Sequence, residues 1–81
     1  MDDDQRVRRE AQSRIDGAER LVQNLDRTKL GEQQEQSVQT IESFVSKAKE
    51  ALSTRDLQRA YTLADKAYLL AEELSKTLGP R

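Results

Sequence analysis

The sequence predicts an all-α protein, a single antiparallel three-helix bundle. Apolar residues recur at intervals of three and four in three separate segments, and short polar connections separate those segments. A chain of 81 residues is long enough for one hydrophobic core and too short for two domains. We place the helices at about residues 4–27, 32–53 and 57–78, in one domain that spans residues 1–81.

The first segment has one apolar stripe among charged residues. Opposite charges lie four residues apart, as in Glu10 and Arg14, and such pairs support a helix. Gly17 lies in the middle, where glycine costs about 1 kcal/mol relative to alanine. We therefore expect a neighbouring helix to approach closely there. The stripe consists of Val7, Ala11, Ile15, Ala18, Val22 and Leu25.

The second segment opens with Gly31 as a tolerable N-cap, and Gln34 supplies half of a capping box. Its first two turns, residues 32–37, contain no apolar residue, so we expect them to extend beyond the bundle or to fray. The stripe that follows consists of Val38, Ile41, Val45, Ala48 and Leu52.

The third segment has the widest apolar face. Asp56 is placed to cap its start, and Gly79 and Pro80 end it. A face this wide predicts a helix that packs against both neighbours, through a seam made largely of alanine. The stripe is Leu57, Ala60, Ala64, Ala67, Ala71, Leu74 and Leu78, flanked by Leu63 and Leu70 on one side and by Tyr61 and Tyr68 on the other.

Composition excludes several classes of function. Fourteen basic and fifteen acidic residues give a net charge of -1, which offers no field to attract nucleic acid or an anionic membrane. The chain contains no cysteine and no histidine, so it lacks thiol chemistry, zinc-thiolate sites and the commonest general base. We predict no catalytic, cofactor-binding or metal-binding residue, no small-molecule ligand and no enzymatic activity.

Three charged clusters have simpler interpretations than a functional site. Asp2–Asp4 lacks the spaced oxygens of a calcium site and suits the positive end of a helix dipole. Glu72 and Glu73 point about 100° apart on a helix, which favours a solvated face over paired acid–base catalysis. Arg6, Arg8 and Arg9 alternate with acids and lack aromatic neighbours, so nucleic-acid binding is disfavoured.

Tyr61, Tyr68 and Leu69 form the candidate protein-docking patch. The two tyrosines lie seven residues apart on one flank of the third helix, and Leu69 falls nearly opposite the core stripe. Aromatic residues with a polar tip are enriched at interfaces. The alternative is that both rings cap the edge of the core and that one exposed leucine needs no explanation.

The junction of the second and third helices resembles that of tetratricopeptide-type repeats. In residues 51–67, ALSTRDLQRAYTLADKA, an Ala-Leu pair precedes the turn and the stretch from Asp56 follows the "D...A..LA.KA" spacing, but Arg55 stands where glycine is usual and no second copy follows. A repeat solenoid needs several copies, so the resemblance implies only two antiparallel helices.

A longer run, Thr40 to Leu74, resembles the C-terminal helical domain of uncharacterised bacterial envelope lipoproteins. That resemblance implies a periplasmic, cell-envelope setting and no known activity. The chain itself begins without a secretory or lipid-attachment signal, which is also how a domain excised from a longer protein would begin, so the compartment stays undetermined.

The sequence therefore predicts a non-enzymatic interaction module that packs against an unknown protein partner or against itself, without inserting into a membrane. The alternative is a structural spacer or terminal domain with no specific ligand.

Overall fold

In a computed structural model, which describes residues 2–78, the chain forms three α-helices of equal length. They are α1 (Asp2–Gln23), α2 (Glu32–Ser53) and α3 (Leu57–Leu78), and a short 3-10 helix (Arg27–Lys29) lies between α1 and α2. The described residues contain no strand. The predicted all-α three-helix bundle is confirmed, and it measures 44 × 18 × 14 Å.

The first helix differs from its predicted bounds of about 4–27. It begins two residues earlier, at Asp2, and it ends at Gln23. The amide of Leu25 donates to the carbonyl of Val22, one residue closer than in an α-helix. Asp26 then adopts an extended conformation and accepts hydrogen bonds from the amide and hydroxyl of Thr28, which starts the 3-10 helix. Leu25 is nevertheless buried, so its place in the apolar stripe does not require a helical backbone.

The N-cap of α2 is as predicted, but the first turns of α2 pack differently from the prediction. The amide of Gly31 donates to Oε1 of Gln34 over 3.0 Å, which is the expected half of a capping box. The polar turns at residues 32–37 are helical, and Gln33 and Ser37 line a groove against α3. These turns therefore run beside the C-terminal half of α3 instead of extending beyond the bundle.

The α2–α3 turn closes with Arg55 in the left-handed conformation, at a φ of 63°. The amide of Asp56 donates to the carbonyl of Ala51, and the amide of Arg55 donates to the carbonyl of Leu52. These two bonds define a Schellman motif, whose left-handed residue is most often glycine. Asp56 then accepts from the amide of Arg59 over 3.4 Å, so its predicted role as the N-cap of α3 is confirmed.

The third helix is the centre of the bundle. It packs extensively against both α1 and α2, which contact each other much less. Its four central alanines, Ala60, Ala64, Ala67 and Ala71, are completely or almost completely buried. Side chains this small let the neighbouring helix axes approach closely. The rest of the core is Ala11, Ile15, Ala18, Val22, Leu25, Val38, Ile41, Val45, Ala48, Ala51, Leu52 and Leu74.

Candidate docking surface

The structure places Tyr61 and Tyr68 on the edge of α3 that faces α1. Both rings are half-buried and pack against the core. The guanidinium carbon of Arg14, from α1, lies 6.0 Å from the centre of the Tyr61 ring and 5.7 Å from that of Tyr68. These distances are within the range of cation–π contacts. The two tyrosines therefore have an aromatic–cation partner inside the chain.

Asp65 holds Arg14 in this position. The Nε of Arg14 donates to Oδ1 of Asp65 over 3.2 Å, and this hydrogen bond raises the pKa of Arg14 above its usual value. On α1, Glu10 lies one turn before Arg14, yet Glu10 forms its ion pair with Arg6. Arg14 thus joins α1 to α3 across 51 positions of sequence, which no local pattern indicates.

Gly17 explains how Tyr68 fits against α1. A Cβ atom at position 17 would lie only 2.8 Å from Cε1 of the Tyr68 ring. The expected close approach at Gly17 is therefore present, and the approaching group is an aromatic side chain of α3.

Leu69, the third residue of the predicted patch, lies on a different side of α3. Successive residues of a helix are about 100° apart, so Leu69 faces away from α1 and is 53% exposed. The structure brings Tyr61 and Tyr68 together with Arg14 and Asp65, but it does not bring them together with Leu69.

Leu70 is the surface residue that the sequence pattern missed. It was expected to widen the core face, and it is instead 36% exposed. Leu69 and Leu70 are the large apolar side chains that stay exposed among residues 3–78. No feature of the α3 pattern alone indicates the exposure of Leu70, because it depends on what α2 places opposite.

A groove between α2 and α3 accounts for the exposure of Leu70. Leu70 and Leu74 lie on the α3 side, and the facing turns of α2 carry amides and hydroxyls instead of apolar residues. These polar turns leave Leu70 partly uncovered, whereas Leu74 is buried. The lining residues are Gln33, Gln34, Gln36, Ser37, Thr40, Leu70, Glu73, Leu74 and Thr77.

Among the charged clusters, Asp3 and Arg6 form surface ion pairs, whereas Glu72 and Glu73 form none within residues 3–78. Arg6 lies 3.9 Å from both Asp3 and Glu10, and Lys49 of α2 lies 2.8 Å from Glu19 of α1.

In the part of the chain that the structure describes, no three acidic side chains converge as metal ligands would. None of the helices described is long and apolar enough to cross a membrane.

The arrangement offers a surface for binding: two exposed leucines on α3, Leu69 and Leu70, beside a groove with amide and hydroxyl walls. We call these two residues the leucine pair. Compared with protein-family models, curated proteins and solved structures, the chain shows no significant match.

Proposed function

We propose that this chain is a non-enzymatic helical module that binds a protein partner through the outer surface of α3. The observation that carries the proposal is the leucine pair, which is exposed on an otherwise polar surface. Burying apolar surface contributes about 25 cal/mol per Å², so a partner that covers the exposed parts of both leucines gains free energy. The non-enzymatic part of the proposal rests on the composition, which lacks cysteine and histidine.

The groove beside the leucine pair supports a partner that presents a helix. Leu70 and Leu74 supply apolar surface along the groove, and Gln33, Ser37 and Thr40 supply hydrogen-bonding groups at its wall. Apolar anchors spaced three or four residues apart on an amphipathic helix fit such a groove. The polar wall would pair with the edge of that helix.

The setting that we propose is the bacterial cell envelope. Its support is the resemblance of Thr40–Leu74 to the helical domain of envelope lipoproteins.

A structural spacer is the second candidate, and the shape of the molecule favours it. Three helices that run up, down and up along a 44 Å rod place the start of α1 and the end of α3 at opposite ends. A module of this shape separates whatever is attached to its two ends by a fixed distance. It needs no partner on its sides.

Site-specific photo-cross-linking in cells distinguishes the two candidates. A photoreactive amino acid at position 73 lies beside the leucine pair, and the matched control is position 43, an exposed serine in the middle of α2. We expect a protein adduct from position 73 that is lost when Leu69→Ser and Leu70→Ser are added. Adducts that are the same from both positions, or that survive the two serines, would exclude the docking function and leave the spacer.

A further inference from the structure

One stripe of α3 is exposed along its length and does not take part in the core. At about 100° per residue, its members fall within an arc of about 100°, so they lie on one face of the helix. All six are exposed to solvent. We call this stripe the outer face of α3, and it consists of Thr62, Lys66, Leu69, Leu70, Glu73 and Thr77.

Between Thr62 and Thr77, the outer face is self-complementary about its midpoint. Its centre is the leucine pair, with one leucine on each side of the midpoint. Lys66 lies three residues before Leu69, and Glu73 lies three residues after Leu70. Thr62 and Thr77 each lie four residues further out. A residue and its counterpart are always equally far from the midpoint.

A two-fold axis through that midpoint would bring each residue against its counterpart on a second helix. In such an antiparallel pair, Lys66 of each copy faces Glu73 of the other, so opposite charges meet twice. Leucine meets leucine at the axis, and threonine meets threonine at the ends. An isologous interface requires this kind of self-complementary surface.

The charges of this face are available for such a contact. Within residues 2–78, neither Lys66 nor Glu73 forms an ion pair. The ammonium of Lys66 lies 5.7 Å from the centre of the Phe44 ring of α2, within the range of a cation–π contact, and it stays exposed to solvent. An acidic and a basic side chain that form no ion pair within their own bundle, placed symmetrically about two exposed leucines, are complementary to a second copy of the same face.

We propose that the partner of this surface is a second copy of the chain, paired antiparallel through the outer face of α3. This inference rests on the proposed function and names its partner. Six side chains per copy are fewer than the roughly 20–30 residues a side of a standard stable interface, so the dimer is weak. We expect a dissociation constant between about 10 µM and about 1 mM for such an interface, so the measurements cover this range of concentrations.

Charge reversal tests the pairing by sedimentation equilibrium across that range. We expect the wild type to move from the mass of one chain toward the mass of two. Lys66→Glu places acids opposite acids, and Glu73→Lys places bases opposite bases. Each reversal weakens the wild-type dimer about tenfold or more, because two surface ion pairs turn into two repulsions.

Mixing the two charge-reversal variants is the most specific test of the pairing. In the mixture, the acidic face of the Lys66→Glu chain meets the basic face of the Glu73→Lys chain, so a heterodimer forms at wild-type concentrations. The matched controls are Lys47→Glu and Glu50→Lys, which make the same charge changes at exposed positions of α2. These controls associate as the wild type does, and circular dichroism verifies that every variant folds.

A wild type that stays monomeric throughout, or variants that fail to associate when mixed, would overturn the second-copy inference. That failure is distinguishable from failure of the proposed function. If position 73 cross-links to a different protein while the wild type stays monomeric, the docking function stands and the second copy is excluded as its partner. If position 73 gives an adduct with the mass of two chains, both proposals are supported.

Discussion

The Tyr68 ring of α3 packs directly against Gly17 of α1. The ring occupies the space that a side chain at position 17 would need, with Cε1 and Cδ1 at 2.8 and 2.9 Å from the Cβ site. Glycine is unfavourable in the middle of a helix, by about 1 kcal/mol relative to alanine. The close packing of Tyr68, with Arg14 against its face, accounts for the glycine.

Gly17→Ala is therefore expected to lower the free energy of unfolding by about 1–2 kcal/mol, because displacing a packed ring outweighs the gain in helix propensity. Urea unfolding followed by circular dichroism measures the change. Ser43→Ala, at an exposed position of α2, is the control for propensity alone and is expected to stabilise slightly. Tyr68→Ala should remove the penalty of Gly17→Ala in a double-mutant cycle. A stabilisation of about 1 kcal/mol by Gly17→Ala alone would contradict this account.

Arg14 makes a contribution to stability that should not vary with pH near neutrality. Its hydrogen bond with Asp65 raises the pKa of the guanidinium above its usual value. A raised pKa adds stability below the pKa of the unfolded chain, and that stability is lost only as the pH rises through the folded pKa. Both values lie far above neutrality.

We therefore expect Arg14→Gln to lower the free energy of unfolding by the same amount at pH 6 and at pH 8.5. Chemical denaturation of both proteins at the two pH values checks this. Arg20→Gln, at an exposed position of α1, controls for the loss of a positive charge. A difference that shrinks toward pH 8.5 would mean that another group governs the contact.

At the scale of the elements, the α2–α3 turn contains the one unusual backbone conformation found among the non-glycine residues described. Arg55 has a φ of 63°, at the position where tetratricopeptide-type junctions use glycine. A side chain in this conformation costs about 1–2 kcal/mol, and glycine avoids that cost. Part of the gain is offset, since glycine also gains freedom in the unfolded chain.

Arg55→Gly is expected to stabilise the bundle by about 0.5–1 kcal/mol, measured as an increase in the urea midpoint without a change in slope. Arg55→Ala retains a Cβ atom and serves as the control for loss of the charged side chain. Thr54→Gly is the control for glycine in the same turn, because Thr54 has a φ of -94° and gains nothing from it. Equal effects of glycine at positions 54 and 55 would argue against strain at Arg55.

The helices could be predicted from the sequence because their signals are local. The alanine and leucine spacing of α3 predicts its inward face, and Gly31, Gln34 and Asp56 mark the starts of α2 and α3. The end of α1 could not be placed, because Leu25 continues the apolar spacing while Asp26 draws the backbone into a different hydrogen-bonding pattern. Periodicity records burial, and burial does not require a helix.

The candidate site was less predictable because it depends on contacts distant in sequence. Tyr61 and Tyr68 were grouped with Leu69, whereas their nearest cation is Arg14 on another helix. The spacing of α3 places Leu70 on the flank of the core stripe, and its exposure follows from the polar turns of α2 opposite it. The polarity of those turns was visible in the sequence, and their position against α3 was not.

At the scale of the whole molecule, α3 has two faces with different roles. Its inner face of buried alanines packs against α1 and α2 and organises the core. Its outer face carries the leucine pair between Lys66 and Glu73, and it is the surface that we propose binds a partner. One helix therefore organises the fold and carries the surface that we propose for docking.

The most direct test of this account is the concentration dependence of the backbone amide NMR spectrum, from about 10 µM to about 1 mM. We expect chemical-shift changes at the outer face of α3 and at the facing wall of the groove, residues 33–40. Amides near Ser13 and Arg20, on the exposed side of α1, should stay unchanged. Shifts that are absent over this range, or that are confined to α1, would contradict the account.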